Sequence, residues 1–75
     1  MITQDDIESL NFLQIGASGK YLDYQKETPT KNLTLSFDCI DNFLLIYDDS
    51  ANILYHGKPD SKESLERIVE SISKI

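Results

Sequence analysis

Leu33-Thr34-Leu35-Ser36-Phe37-Asp38, followed after a short gap by Asn42-Phe43-Leu44-Leu45-Ile46-Tyr47, decides the fold. In the first stretch apolar and polar residues alternate, the period of a strand with one face on a core and the other toward water. The second is the most apolar run of the chain, with apolar side chains at both parities. That pattern predicts a strand at the centre of a sheet.

The same period extends outward in both directions. Residues 20–25 read as a strand with Tyr21 and Asp23 on one face and Leu22 and Tyr24 on the other. Residues 12–15 read as a shorter strand, and Gly16-Ala17-Ser18-Gly19 as the turn between the two. Residues 26–31, with Pro29, form a polar loop. Asp48-Asp49-Ser50-Ala51-Asn52 is a turn cluster, and residues 53–57 are the last strand. Connections this short imply a mostly antiparallel sheet of four to five strands.

Helices close both ends. Thr3 is placed as an N-cap, with Asp6 at the third helical position and Ile2 and Ile7 where a hydrophobic staple puts them. Asp5, Asp6 and Glu8 suit the positive end of the helix dipole, and the helix should stop near Leu10 or Asn11. Pro59 precedes the second helix, Asp60 or Ser61 caps it, and Glu63 completes a capping box if Asp60 is the cap. Leu65, Ile68, Val69, Ile72 and Ile75 form one apolar stripe at helical spacing. The expected fold is therefore a single α+β domain over residues 1–75. A short N-terminal helix leads into the sheet, and a C-terminal amphipathic helix packs on one face. The other face and two edge strands are left available for a partner.

Composition narrows the function. Thirteen Asp and Glu stand against seven Lys and Arg, a formal charge of −6. That sign repels nucleic acid and anionic lipid and favours a basic protein surface. A chain of 75 residues leaves little material for an enclosed ligand pocket. The single cysteine, Cys39, allows no internal disulfide and reads as a buried apolar thiol in a protein of the reducing cytoplasm. The acidic N-terminus is not that of an ordinary signal peptide, and the apolar run from Phe43 to Tyr47 is too short to span a bilayer.

No set of residues assembles a catalytic centre. His56, the one imidazole of the chain, would need an orienting acid and a nucleophile within hydrogen-bond reach, and only a chance approach of Cys39 would make a thiol–imidazole pair. A calcium loop starting at Asp48 would need Gly and Glu where Ile53 and Pro59 stand. Gly16-Ala17-Ser18-Gly19-Lys20 has a misplaced first glycine, Tyr21 in place of the hydroxyl residue and a strand after it, so it is no phosphate loop. The four tyrosines lack the basic groove that base-stacking proteins need. The expectation is a non-enzyme with no cofactor and no metal. Asp38, Asp41, Asp48 and Asp49, around the ends of the two apolar strands, would meet a larger protein with a basic surface, with Tyr47 or Tyr55 as anchors. The alternative is a structural module that pairs with itself as a homodimer through an uncovered sheet face or edge.

In layout the chain resembles small acidic accessory proteins of phages and mobile elements. The resemblance is carried by Asp5-Asp6-Ile7-Glu8-Ser9-Leu10, by Leu54-Tyr55-His56-Gly57-Lys58-Pro59 and by the helix that follows. It implies a role as an inhibitor of a host defence or nucleic-acid-handling protein, of the anti-CRISPR kind, in the cytoplasm of a bacterial cell. No catalytic residue is carried over from that class.

Overall fold

The computed structural model describes residues 1–74. The order is α1 (Gln4–Ser9), β1 (Leu13–Ser18), β2 (Tyr21–Glu27), β3 (Asn32–Asp38), β4 (Phe43–Asp48), β5 (Ile53–Gly57) and α2 (Lys62–Ser73). The strands form one antiparallel meander in the order β1-β2-β3-β4-β5. The expected α+β architecture is present, with all five strands in a single sheet.

Each helix begins where its capping chemistry sits. Thr3 Oγ1 accepts from the Asp6 amide at 3.2 Å, and Asp6 Oδ2 accepts from the Thr3 amide at 3.0 Å, a complete capping box. Asn11, at φ 70°, takes the left-handed conformation just beyond the helix and ends it. Ser61, rather than Asp60, caps α2 by accepting from the Ser64 amide at 3.1 Å. Ser64 therefore holds the third helical position, and Glu63 makes no box. Asp60 instead accepts from the Ser64 hydroxyl at 2.8 Å.

Both helices cover the same sheet face. Tyr24, Leu35 and Ile46 lie side by side in register on β2, β3 and β4 and have no exposed surface. Leu33, Phe37 and Leu44 flank them, and Ile7, Leu10, Leu65, Val69 and Ile72 pack from the helices. Burying a side chain of this size contributes about 1.5–3 kcal/mol. Ile2 joins this core because Asn42 clamps its backbone, accepting from its amide at 3.2 Å and donating to its carbonyl at 2.9 Å. Within the apolar stripe of α2, Ile75 lies outside the described residues.

Three local expectations change. β1 runs through Gly16 to Ser18, and the turn shrinks to Gly19-Lys20, with Gly19 at φ 62°. Glycine at the first of two turn residues is the type II′ signature. Gly16 is kept within the strand because the register shifts there, leaving Ile15 as an extra residue. Second, β2 continues to Glu27, and Thr28 closes the next turn by bonding to Lys31 through both its amide and its hydroxyl. Third, β4 is interior but stands fourth, and β3 holds the middle. The second apolar face of β4 is not sandwiched between layers; it looks out from the uncovered side of the sheet.

The β4–β5 turn carries strain. The Ala51 amide donates to the Asp48 carbonyl at 3.0 Å, and Ala51 itself sits at φ 63°, where glycine is the usual residue. A left-handed L-residue costs about 1–2 kcal/mol, whereas glycine costs about 0.4–1 kcal/mol in unfolded-state entropy. Relief outweighs entropy. Ala51→Gly should therefore stabilise the fold by about 0.5–1 kcal/mol, read as a raised urea midpoint at unchanged slope. An unchanged or lowered midpoint would mean the turn is not strained.

Candidate protein-binding face

Residues that point away from the helices form three long cross-strand rows, with one further pair, Glu27–Asn32, at the far end of β2 and β3. The three rows are Ser18–Tyr21–Asp38–Phe43, then Gly16–Asp23–Ser36–Leu45–His56, then Leu13–Gln25–Thr34–Tyr47–Ile53. These rows hold two carboxylates and no Lys or Arg, although 27% of the chain is charged. Charge depletion with aromatic enrichment is the compositional mark of an interface centre. Phe43, Leu45 and Tyr47 are half-buried by their neighbours alone, and Ile53 is 61% exposed. The His56 ring lies 6.3 Å from that of Phe43, centroid to centroid.

The residues expected to meet a partner are not all on this face. Tyr47 is, paired across the sheet with Thr34 and Ile53. Tyr55 is on the opposite side, beside Ile46, where burial raises its hydroxyl pKa. Its ring packs against the core, and its Oη stands 2.7 Å from where a Gly57 side chain would begin. Gly57, at φ 154°, leaves that space open.

Asp38 and Asp41 lie at one end of β4, Asp48 and Asp49 at the other, about 17 Å apart along the strand. Asp38 is only 4% exposed. Its Oδ1 accepts from the Ile40 and Asp41 amides, both at 3.0 Å, and its Oδ2 lies 3.0 Å from Lys20 Nζ. Lys20 also reaches Asp41 at 3.5 Å. Asp48 accepts from the Ser50 and Asn52 amides, both at 2.9 Å, and from Asn52 Nδ2 at 3.2 Å. These two acids build the turns, a use of Asp that turn chemistry predicts. Asp49 is exposed, and Asp41 is exposed although Lys20 reaches it; these two are the carboxylates left at the surface to meet a partner.

Cys39 corrects the sequence reading. It is exposed, not buried, with Sγ 3.3 Å from the Lys20 carbonyl oxygen. The Cys39 amide still donates across to the Lys20 carbonyl at 3.2 Å, and the Ile40 and Asp41 amides, donating to Asp38, turn the chain away just after it, so the thiol sits at the exposed end of the sheet. No hydrogen bond joins it to His56 among the described residues, and among them no three His, Cys, Asp or Glu side chains converge as metal ligands. No described helix is long and apolar enough to cross a membrane.

Sequence reasoning missed Asp23. It lies in the middle of the open face, half-buried, and accepts from Ser36 Oγ at 2.8 Å. Its position at an outward parity of β2 was legible; that Ser36 rather than a cation stands opposite it depends on strand pairing. No family model, curated protein or solved structure matches the chain.

The turn carboxylates give stability a pH dependence. The Asp41 amide holds the Asp38 carboxyl below the usual range, against desolvation, with Lys20 and the Ile40 amide adding to the effect. The Asn52 amide does the same for Asp48, with Asn52 Nδ2 and the Ser50 amide adding. A depressed folded-state value means stabilisation that is present above about pH 3.9 and lost as pH falls through the folded value. Asp38→Asn should therefore be less stable than wild type at neutral pH, and the gap should close as pH drops below about 4. Urea midpoints across that range measure it; a gap independent of pH would show that charge is not what holds the turn.

Proposed function

We propose that this protein is a non-enzymatic binding module that docks on a larger protein through its uncovered sheet face. The observation that carries this reading is the strip Phe43–Leu45–Tyr47–Ile53, apolar and outside the core, on a face that no helix covers. Exposed Asp41 and Asp49 at the two ends of β4 supply an acidic rim around that neutral centre. The matching partner surface is an apolar patch bordered by Lys and Arg. Apolar contacts at the centre would set the residence time, and rim charge the on-rate and salt dependence.

Covering a basic functional surface is an inhibitory act. The role we favour is antagonism of a host defence or nucleic-acid-handling protein, in keeping with the phage-accessory layout. The unpaired thiol and the acidic charge fit a reducing cytoplasm, that of a bacterial host.

Capture from bacterial lysate at low and high salt, with wild type and two variants in parallel, tests the reading. Leu45→Asp places charge in the centre of the strip without touching the core. It should abolish retention of a partner that wild type holds, at unchanged thermal midpoint. Asp41→Asn with Asp49→Asn should keep the partner at low salt and lose much of the salt sensitivity. Retention of the same partner by Leu45→Asp would overturn the open-face reading.

The β1 edge favours a second reading, self-pairing. β1 has no charged residue and no proline, and Leu13 and Ile15 are 72% and 53% exposed. Such an edge invites another strand. Light scattering decides it: a mass of twice 8.6 kDa, returned to a single chain by Ile15→Lys, would support the homodimer. A monomer at high concentration would remove it.

A further inference from the structure

The open face is not flat. Ser18, Tyr21, Asp23, Ser36, Phe43 and Leu45 line a shallow depression of about 360 Å³. Its aromatic walls are Tyr21 and Phe43, and Leu45 adds apolar surface. Ser36 Oγ orients the Asp23 carboxylate from one side at 2.8 Å, and no cationic side chain among the described residues pairs with it. On the other side its cross-strand neighbour is Gly16, where even an added Cβ would meet nothing within 4 Å. The carboxylate is thus fixed, half-buried, and left open toward the β1 edge.

The surrounding charge has one sign. Lys20 lies 5.5 Å from the Tyr21 ring centroid, but it is bound to Asp38 and Asp41, which outweigh it. With Asp23, this corner of the sheet keeps a net negative charge. The groove between α2 and the 28–31 turn has no such character, because Lys26 and Lys74 alternate there with Glu27 and Glu70.

Resting on the open-face reading, we infer that this depression receives an arginine side chain of the partner protein, its guanidinium on the Asp23 carboxylate between the rings of Tyr21 and Phe43. A guanidinium is planar and weakly hydrated, stacks on aromatic faces and pairs bidentately with a carboxylate. An ammonium can do neither the stacking nor the fork, so lysine is the weaker occupant. An arginine seated between aromatics at an interface centre is a frequent hot spot. The arginine also explains why Asp23, unlike Asp38 with its Lys20, has no cation of its own among the described residues: its counter-ion arrives with the partner.

The test uses the intact chain and a small probe, N-acetyl-arginine amide, followed by backbone amide NMR. Wild type should show saturable shifts centred on Tyr21, Asp23, Ser36 and Phe43. The lysine analogue should bind more weakly and the uncharged citrulline analogue should give no saturable shift. Asp23→Asn should weaken binding by about tenfold or more, the scale of one charge-assisted hydrogen bond. Gly16→Leu should fill the open flank and block the probe while leaving the dispersed spectrum of a folded chain. Shifts that survive Asp23→Asn, that match for lysine and arginine, or that lie among the helix acids would overturn the inference. Wild type without saturable shifts would do so as well. If capture still depends on Leu45 in that case, the open-face reading stands and only the arginine site falls. If the arginine shifts appear but Leu45→Asp retains the partner, the open-face reading falls instead.

Discussion

The contact of Ile7, Leu10, Leu65, Val69 and Ile72 with the Tyr24–Leu35–Ile46 row is the interaction on which the other features depend. A chain of this size buries only about 60% of the surface its unfolded form exposes, which supports one core layer and no more. Both helices are used on a single face. The second face therefore has to be tolerable in water or covered by something else, and its composition is a compromise between the two: Thr, Ser and Gln toward the middle, aromatics and aliphatics toward β4 and β5.

Turn formation takes up much of the acidity that first reads as a binding surface. Asp38 and Asp48 end successive stretches of the meander, and each folds its carboxylate back onto amides two to four residues ahead. Such local bonding is why Asp is common where strands reverse. What remains for a partner is a rim of Asp41 and Asp49 and one acid, Asp23, that no cation pairs with among the described residues. Excess charge elsewhere, on the outward sides of α1 and α2, faces solvent without marking a site.

The sheet edges are handled unequally. Both edge strands carry a bulge, at Ile15 in β1 and at Leu54 in β5, and bulges disfavour extended pairing with another chain. β5 is also short, with its last residue a glycine whose backbone bends around the Tyr55 hydroxyl. β1 lacks any such further protection. Edge and open face are contiguous at Gly16, so a partner seated over Asp23 would approach across β1.

Local patterns in the chain determined the elements. Thr3 with Asp6, Ser61 before an apolar stripe, and the alternation from Leu33 to Phe37 each act within a few residues and can be read one-dimensionally. Boundaries shifted where a residue had two uses, as at Gly16, which turn chemistry and a strand bulge both accept. Tertiary structure decided the rest. The apolar parity of β4 that faces outward, the exposure of Cys39, the separation of Asp38 and Asp41 from Asp48 and Asp49, and the placing of Tyr47 and Tyr55 on opposite faces all depend on strand order and on which side the helices pack. Those are long-range choices. They are set by the burial of one shared core, and no single segment of the sequence carries them.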